Sequence, residues 1–133
     1  MNTKSLMTLS AMILAMIGIS LIFLPNEILD YLELSVSETL QLLMQIIGSL
    51  YFALAILNWM SKGSLIGGIY GRPIAMANLT HFVIAGFSLI KGILVNPSLS
   101  YVIWSIAIIY SIFAIFFGIV AFRHPVNENK HIE

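Results

Sequence analysis

Cysteine is absent from this chain of 133 residues, and charge is scarce: six Lys and Arg, six Asp and Glu, together 9% of the sequence. Without thiols there is no disulfide, no thiolate nucleophile and no soft-metal site. Mercury carriage and quinone-coupled thiol oxidation, which need Cys, are therefore excluded. A small multidrug exchanger needs a Glu embedded in the membrane, and the long apolar runs hold no Asp or Glu and only one Lys, Lys91, close to an end. The formal net charge of zero, with no basic run, argues against a nucleic-acid partner. The sequence calls for no cofactor and no metal.

What remains is 59% hydrophobic, far from the roughly one-quarter charged composition of soluble domains. A helix needs about 20 apolar residues to cross a hydrocarbon core about 30 Å thick. Leu6 to Leu24, Leu40 to Met60, Ile74 to Val95 and Tyr101 to Phe122 all qualify. The expectation is one all-α domain over 1–133, an integral membrane antiparallel four-helix bundle with helices over 5–24, 39–61, 73–95 and 100–122 and a polar tail over 123–133. The first run follows Lys4 as a signal peptide would. It is long, however, and ends in Leu24-Pro25-Asn26-Glu27 without a small-x-small cleavage pattern, so it is expected to be retained.

Positive residues prefer the cytoplasmic side. Lys4, Lys62, Arg72, Arg123 and Lys130 fall on one side of a four-pass arrangement and Lys91 near the other, which places both termini in the cytoplasm and the chain in the inner (plasma) membrane. The first outer loop carries Glu27, Asp30, Glu33 and Glu38 with no cation. Within it, Ile28, Leu29 and Leu32 share a face, as in a short interfacial helix, and Ser35-Val36-Ser37-Glu38 fits a capping box for the second span. Trp59 and Tyr70 are expected at the inner headgroup level, Tyr101 and Trp104 at the outer one.

Small and polar residues mark the faces expected to meet protein, because helices in lipid associate through close van der Waals contact and interhelical hydrogen bonds. On the second span Gln41, Gln45, Gly48, Tyr51, Phe52, Ala55 and Asn58 share an arc. On the third, Ile74, Ala77, Asn78, His81, Ala85, Ser88 and Gly92 do so. The first span offers Ala11, Ala15 and Gly18; the fourth offers Ala107, Ser111, Ala114, Gly118 and Ala121.

The polar groups inside these spans are the candidate site. An ionisable residue at membrane depth is a functional hypothesis by default, and His81 lies about two turns into the third span. A neutral imidazole bonded to Asn78, Tyr51 or a backbone carbonyl is the structural alternative. Asn58 and Asn78 are candidates for interhelical bonding to each other. Gln41 and Gln45 with Ser88 and Lys91 make a second candidate cluster, with Lys91 either snorkelling or pairing with Glu38. Tyr51 and Tyr110 read as core phenols that need partners. Arg72-Pro73 opens the third span, and a helix start with Pro at its first position attracts anions. The four glycines between Ser61 and Pro73 lack the phosphate-loop pattern. The ligand-binding candidates are thus His81, Asn78, Asn58, Tyr51, Gln45 and Arg72; His81 has no membrane carboxylate, thiol or second His beside it, so no catalytic set is assembled.

The run Ile47-Gly48-Ser49-Leu50-Tyr51-Phe52-Ala53-Leu54-Ala55, with the chain's size, four spans and long first outer loop, resembles the DoxX-like group of small four-helix bacterial membrane proteins. That resemblance implies an accessory subunit or assembly factor for other membrane proteins and assigns no functional residue. Two functions follow. One is a non-enzymatic membrane protein that packs against a membrane-protein partner or a second copy of itself. The other is a binding or transport protein for a small polar or lipid-derived ligand, using a pocket around His81.

Overall fold

The computed structural model describes residues 2–64 and 71–122. These form five helices: α1 (Thr3–Phe23), α2 (Pro25–Tyr31), α3 (Glu38–Ser61), α4 (Arg72–Val95) and α5 (Tyr101–Phe122). No strand occurs among the described residues. The four long helices are long and apolar enough to cross a membrane, which makes the chain a multi-pass membrane protein by length and composition. Tyr70, Leu65, Ile66, Ile69 and the tail from Arg123 lie outside the described residues, as do the expectations attached to them.

Local chemistry sets the helix ends within two residues of the sequence expectation. Asn2 starts α1 by accepting hydrogen bonds through Oδ1 from the amides of Lys4 at 3.1 Å and Ser5 at 3.4 Å. Pro25 stops α1 and begins α2 at its first position, where its missing N–H costs nothing. For α3 the cap is Ser37, extended at φ −135°, whose Oγ accepts from the Leu40 amide at 3.3 Å. The box expected from Ser35 is thus not used; Glu38 is the first helical residue. The short α2 ends in a Schellman motif. The Leu34 amide donates to the Leu29 carbonyl at 2.9 Å and the Glu33 amide to Asp30 at 3.0 Å, with Glu33 in the left-handed region at φ 56°. Leu29 is buried beneath this turn, Ile28 and Leu32 are half-buried, and Glu27, Asp30 and Glu33 stay exposed.

The chain divides into two compact units, Met1–Gly63 and Ser64–Glu133. The first is a hairpin of α1 and α3 bridged by α2. Gln45 reaches Ile22, Gly48 meets Gly18 and Asn58 reaches Ser10, so the two long helices run antiparallel. Their interior holds Met7, Ala11, Leu14, Gly18, Gly48 and Ala55. The backbones nearly touch at the two glycines. A Cβ placed on Gly18 would lie 2.8 Å from both the Gly48 carbonyl oxygen and the Phe52 amide nitrogen, and one on Gly48 would lie 2.8 Å from the Gly18 carbonyl oxygen. Close approach through small residues is what membrane helices use in place of a hydrophobic drive.

The second unit is a hairpin of α4 and α5, built on rings instead. Phe82 is fully buried and stacks on Phe113 at 4.9 Å and Phe117 at 5.5 Å between centroids, with Tyr110 edge-on at 5.1 Å. Asn96 turns the chain between these helices, its Oδ1 accepting from the Ser98 amide at 3.2 Å and hydroxyl at 2.6 Å. The buried face of α4 is Ala75, Asn78, Phe82, Gly86 and Ile93. That face is rotated by roughly a quarter turn from the expected small-residue face: Ala77 and Ser88 are exposed, and Phe82, not His81, is at the centre. On α5 the expected Ala107 and Ala121 are buried together with Tyr110, Phe113, Phe117 and Val120, while Ser111, Ala114 and Gly118 are half-buried. Rings fill the centre of this contact, and the small residues Ala75, Gly86, Ala107 and Ala121 are buried beside them.

Candidate functional site

The six candidate residues divide between the units. Gln45, Tyr51 and Asn58 belong to the first, Arg72, Asn78 and His81 to the second.

Asn58 is completely buried, and its Nδ2 donates to the Ser10 hydroxyl at 3.1 Å. Ser10, equally buried, donates its hydroxyl hydrogen bond to the Met7 carbonyl at 3.0 Å. A short relay therefore joins the start of α1 to the end of α3 inside the hairpin. Ser10 was not among the sequence candidates, although it shares a helical face with Ala11, Leu14 and Gly18. Gln45 is exposed, and its Nε2 lies 3.5 Å from the Ile22 carbonyl, one of the last carbonyls of α1 that the helix itself leaves without an amide. Tyr51 is half-buried one turn from Gly48.

In the second unit Asn78 is fully buried and donates through Nδ2 to the Ile74 carbonyl of its own helix at 3.0 Å. His81 is half-buried at the edge of the aromatic core, 5.6 Å from the Tyr110 ring and 5.1 Å from Phe82. Arg72 is exposed and is the first residue of α4. No group of three or more His, Cys, Asp or Glu side chains able to hold a metal occurs among the described residues.

Two connected grooves run along the α4–α5 surface. One, of about 340 Å³, is lined by Ile90, Leu94, Trp104, Ile108 and Ile115 among others; the second, of about 190 Å³, by Phe82, Gly86, Phe87 and Ala114. They share Ser111, whose hydroxyl is bonded to the Ala107 carbonyl at 2.8 Å, so neither offers a polar handle. His81 lines neither groove. Chemically, the arrangement can hold helices together and accept apolar chains.

The chain matches no family model, and no curated protein or solved structure is significantly similar to it.

Proposed function

We propose that the chain is a small non-enzymatic integral membrane protein that acts by helix packing, as an accessory subunit or assembly factor of a membrane complex. The observation that carries this reading is the Asn58–Ser10 bond. The buried carboxamide of the first hairpin is bonded to its neighbouring helix, as polar groups that act as interhelical glue are. The two grooves described on the second hairpin are lined by apolar side chains, which suits contact with apolar partners. The antiparallel four-helix bundle, cytoplasmic termini, inner-membrane location and interfacial role of α2 belong to this proposal. So does the similarity to the DoxX-like group along Ile47–Ala55.

The test is replacement of His81 by Ala and by Gln in purified protein, with thermal stability and native mass spectrometry against a lipid and metabolite panel. Lower stability that Gln restores, with no ligand lost, is the expected result. Unchanged stability with loss of a co-purifying small molecule would instead place a binding site on α4 and overturn the packing reading.

A further inference from the structure

The register of the first hairpin brings two cations together. On α1, Lys4, Ala11 and Gly18 follow one another at seven-residue intervals, and on α3, Gly48, Ala55 and Lys62 do the same. Seven residues are close to two turns, so each trio keeps to one face of its helix with a drift of only about 20° per step. Lys62 closes α3 in the right-handed helical region, at φ −61° and ψ −19°, and so continues that face. Gly18 meets Gly48 and the two helices run antiparallel, so equal steps from the crossing set Ala11 level with Ala55 and Lys4 level with Lys62. Both alanines are buried, and the Asn58 bond to Ser10 carries the contact on towards the lysines.

Among the described residues no carboxylate lies near this pair. Glu27, Asp30, Glu33 and Glu38 all belong to the other end of the hairpin. Glu38 opens the 24-residue α3 and Lys62 follows its last residue, about 36 Å away, several times the length of about 8–10 Å over which salt screens a charge. The described residues of the second unit contain no Asp or Glu, so that unit supplies no carboxylate to either lysine whatever its position. The helix ends add nothing either. The partial positive charge at the start of α1 and the partial negative charge at the end of α3 lie side by side and offset each other, and the amides of Lys4 and Ser5 are taken by Asn2. What remains is two ammonium groups. Lys62 is steadied by a neutral partner, its Nζ lying 3.0 Å from the centre of the Trp59 ring. A ring face covers one side of an ammonium and leaves N–H donors on the other.

We infer that Lys4 and Lys62 together hold the phosphate of an anionic phospholipid at this end of the hairpin. A helix about 36 Å long overhangs a hydrocarbon core of about 30 Å by about 3 Å at each end. Lys62 therefore stands just outside the hydrocarbon, at the depth of the lipid headgroups, where tryptophans such as Trp59 also settle. A phosphate between the two ammonium groups replaces their repulsion with charge-assisted hydrogen bonds to both, and Trp59 holds one of them in place beforehand. Inorganic phosphate has the same chemistry, but the membrane concentrates lipid phosphate at that depth. The inference goes beyond the packing function and does not depend on it; it needs only that the first hairpin span a bilayer.

Trp59 is also the reporter, since Trp104 is the only other tryptophan. Full-length Trp104→Phe protein is reconstituted in phosphatidylcholine vesicles that contain brominated phosphatidylglycerol or, at the same mole fraction, brominated phosphatidylcholine, whose bromines quench a tryptophan they touch. The anionic lipid should be enriched at Trp59 roughly 25-fold, from about fivefold for each lysine. Lys4→Gln should reduce this to about fivefold with helicity retained, because Lys4 is exposed. Lys4→Gln combined with Ser5→Lys keeps the charge at that depth but turns it about 100° around α1, at another exposed position, and should not restore the enrichment. Restoration by Ser5→Lys means diffuse attraction to a charged surface and overturns the inference, as does equal quenching by the two lipids. Displacement by millimolar inorganic phosphate overturns it in favour of a soluble anion. Enrichment that appears only after Glu128→Gln and Glu133→Gln makes the chain's own tail the occupant and also overturns it. Each of these results leaves the packing function standing, whereas ligand loss on replacing His81 removes that function and leaves the lysine pair untouched.

Discussion

Replacing Gly18 by Ala tests the fold at its tightest point. The new methyl would sit 2.8 Å from the Gly48 carbonyl oxygen and 2.8 Å from the Phe52 amide nitrogen. Ordinary contact begins at 3.4 Å, so α1 and α3 must part by about 0.6 Å, the difference of the two distances. The obstructing atoms are backbone and cannot rotate away. A gap of that size forfeits about a quarter or more of each dispersion contact along the crossing, and forced overpacking costs about 1–3 kcal/mol. Alanine gains back about 1 kcal/mol of helix propensity. The net expectation is a loss of about 0–2 kcal/mol, read against Gly86→Ala as a shift in reversible unfolding in mixed micelles. Gly86→Ala is the control, because its nearest neighbour, the Tyr110 Cβ, is 3.7 Å away; there propensity should win, leaving stability equal or higher. The double variant with Gly48→Ala should cost less than the two single changes together, since each methyl meets the other glycine's carbonyl and one separation serves both. If G18A proves as stable as G86A, the close crossing is not a feature of the folded protein.

Other outcomes follow from the same geometry. Ser10→Ala combined with Asn58→Leu in a double-mutant cycle should give a coupling of about 0.6 kcal/mol, and no more than about 1.7, the range for membrane hydrogen bonds. Phe82→Ala removes the ring at the centre of the second hairpin and should cost about 3–5 kcal/mol. Phe87→Ala, at a side chain 69% exposed, should stay within about 0.5 kcal/mol in the same unfolding assay. Glu33→Gly relieves a left-handed residue at φ 56° and should stabilise by about 0.5–1 kcal/mol in thermal unfolding.

The helix ends at Pro25 and Pro73 were legible in the sequence because prolines act locally, whereas the Asn2 cap was not read and α1 starts at Thr3, two residues before the expected 5. Two serines two residues apart, Ser35 and Ser37, offered the same hydroxyl, and only backbone geometry selects Ser37. The α1–α3 contact was legible too, because at Gly18, Gly48 and Ala55 small size and burial coincide. In the second hairpin the same signal was legible only in part: Asn78, Ala107 and Ala121 are buried, whereas Ala77 and Ser88 are exposed. There Phe82, Phe113 and Phe117 fill the space, and an inward ring looks in sequence like one facing lipid. Within the site, Asn58 was recognisable as an inward polar group, yet its partner Ser10 lies 48 residues away and no local pattern joins them. His81 drew attention through its charge chemistry, while its ring neighbour Tyr110 is set by how the two helices meet.

The relay through Ser10 also bears on how the chain enters a membrane during synthesis. At about 5–20 residues per second, α1 waits several seconds before the whole of α3 has been made. In that interval its hydroxyls are provided for, since Thr8 donates to the Lys4 carbonyl and Ser10 to the Met7 carbonyl of the same helix. Asn58, whose Nδ2 donates to Ser10 of the other helix, is made only after the Ser10 oxygen is in place to receive it. The order of the polar residues along the chain thus spares the nascent protein an amide stranded in lipid.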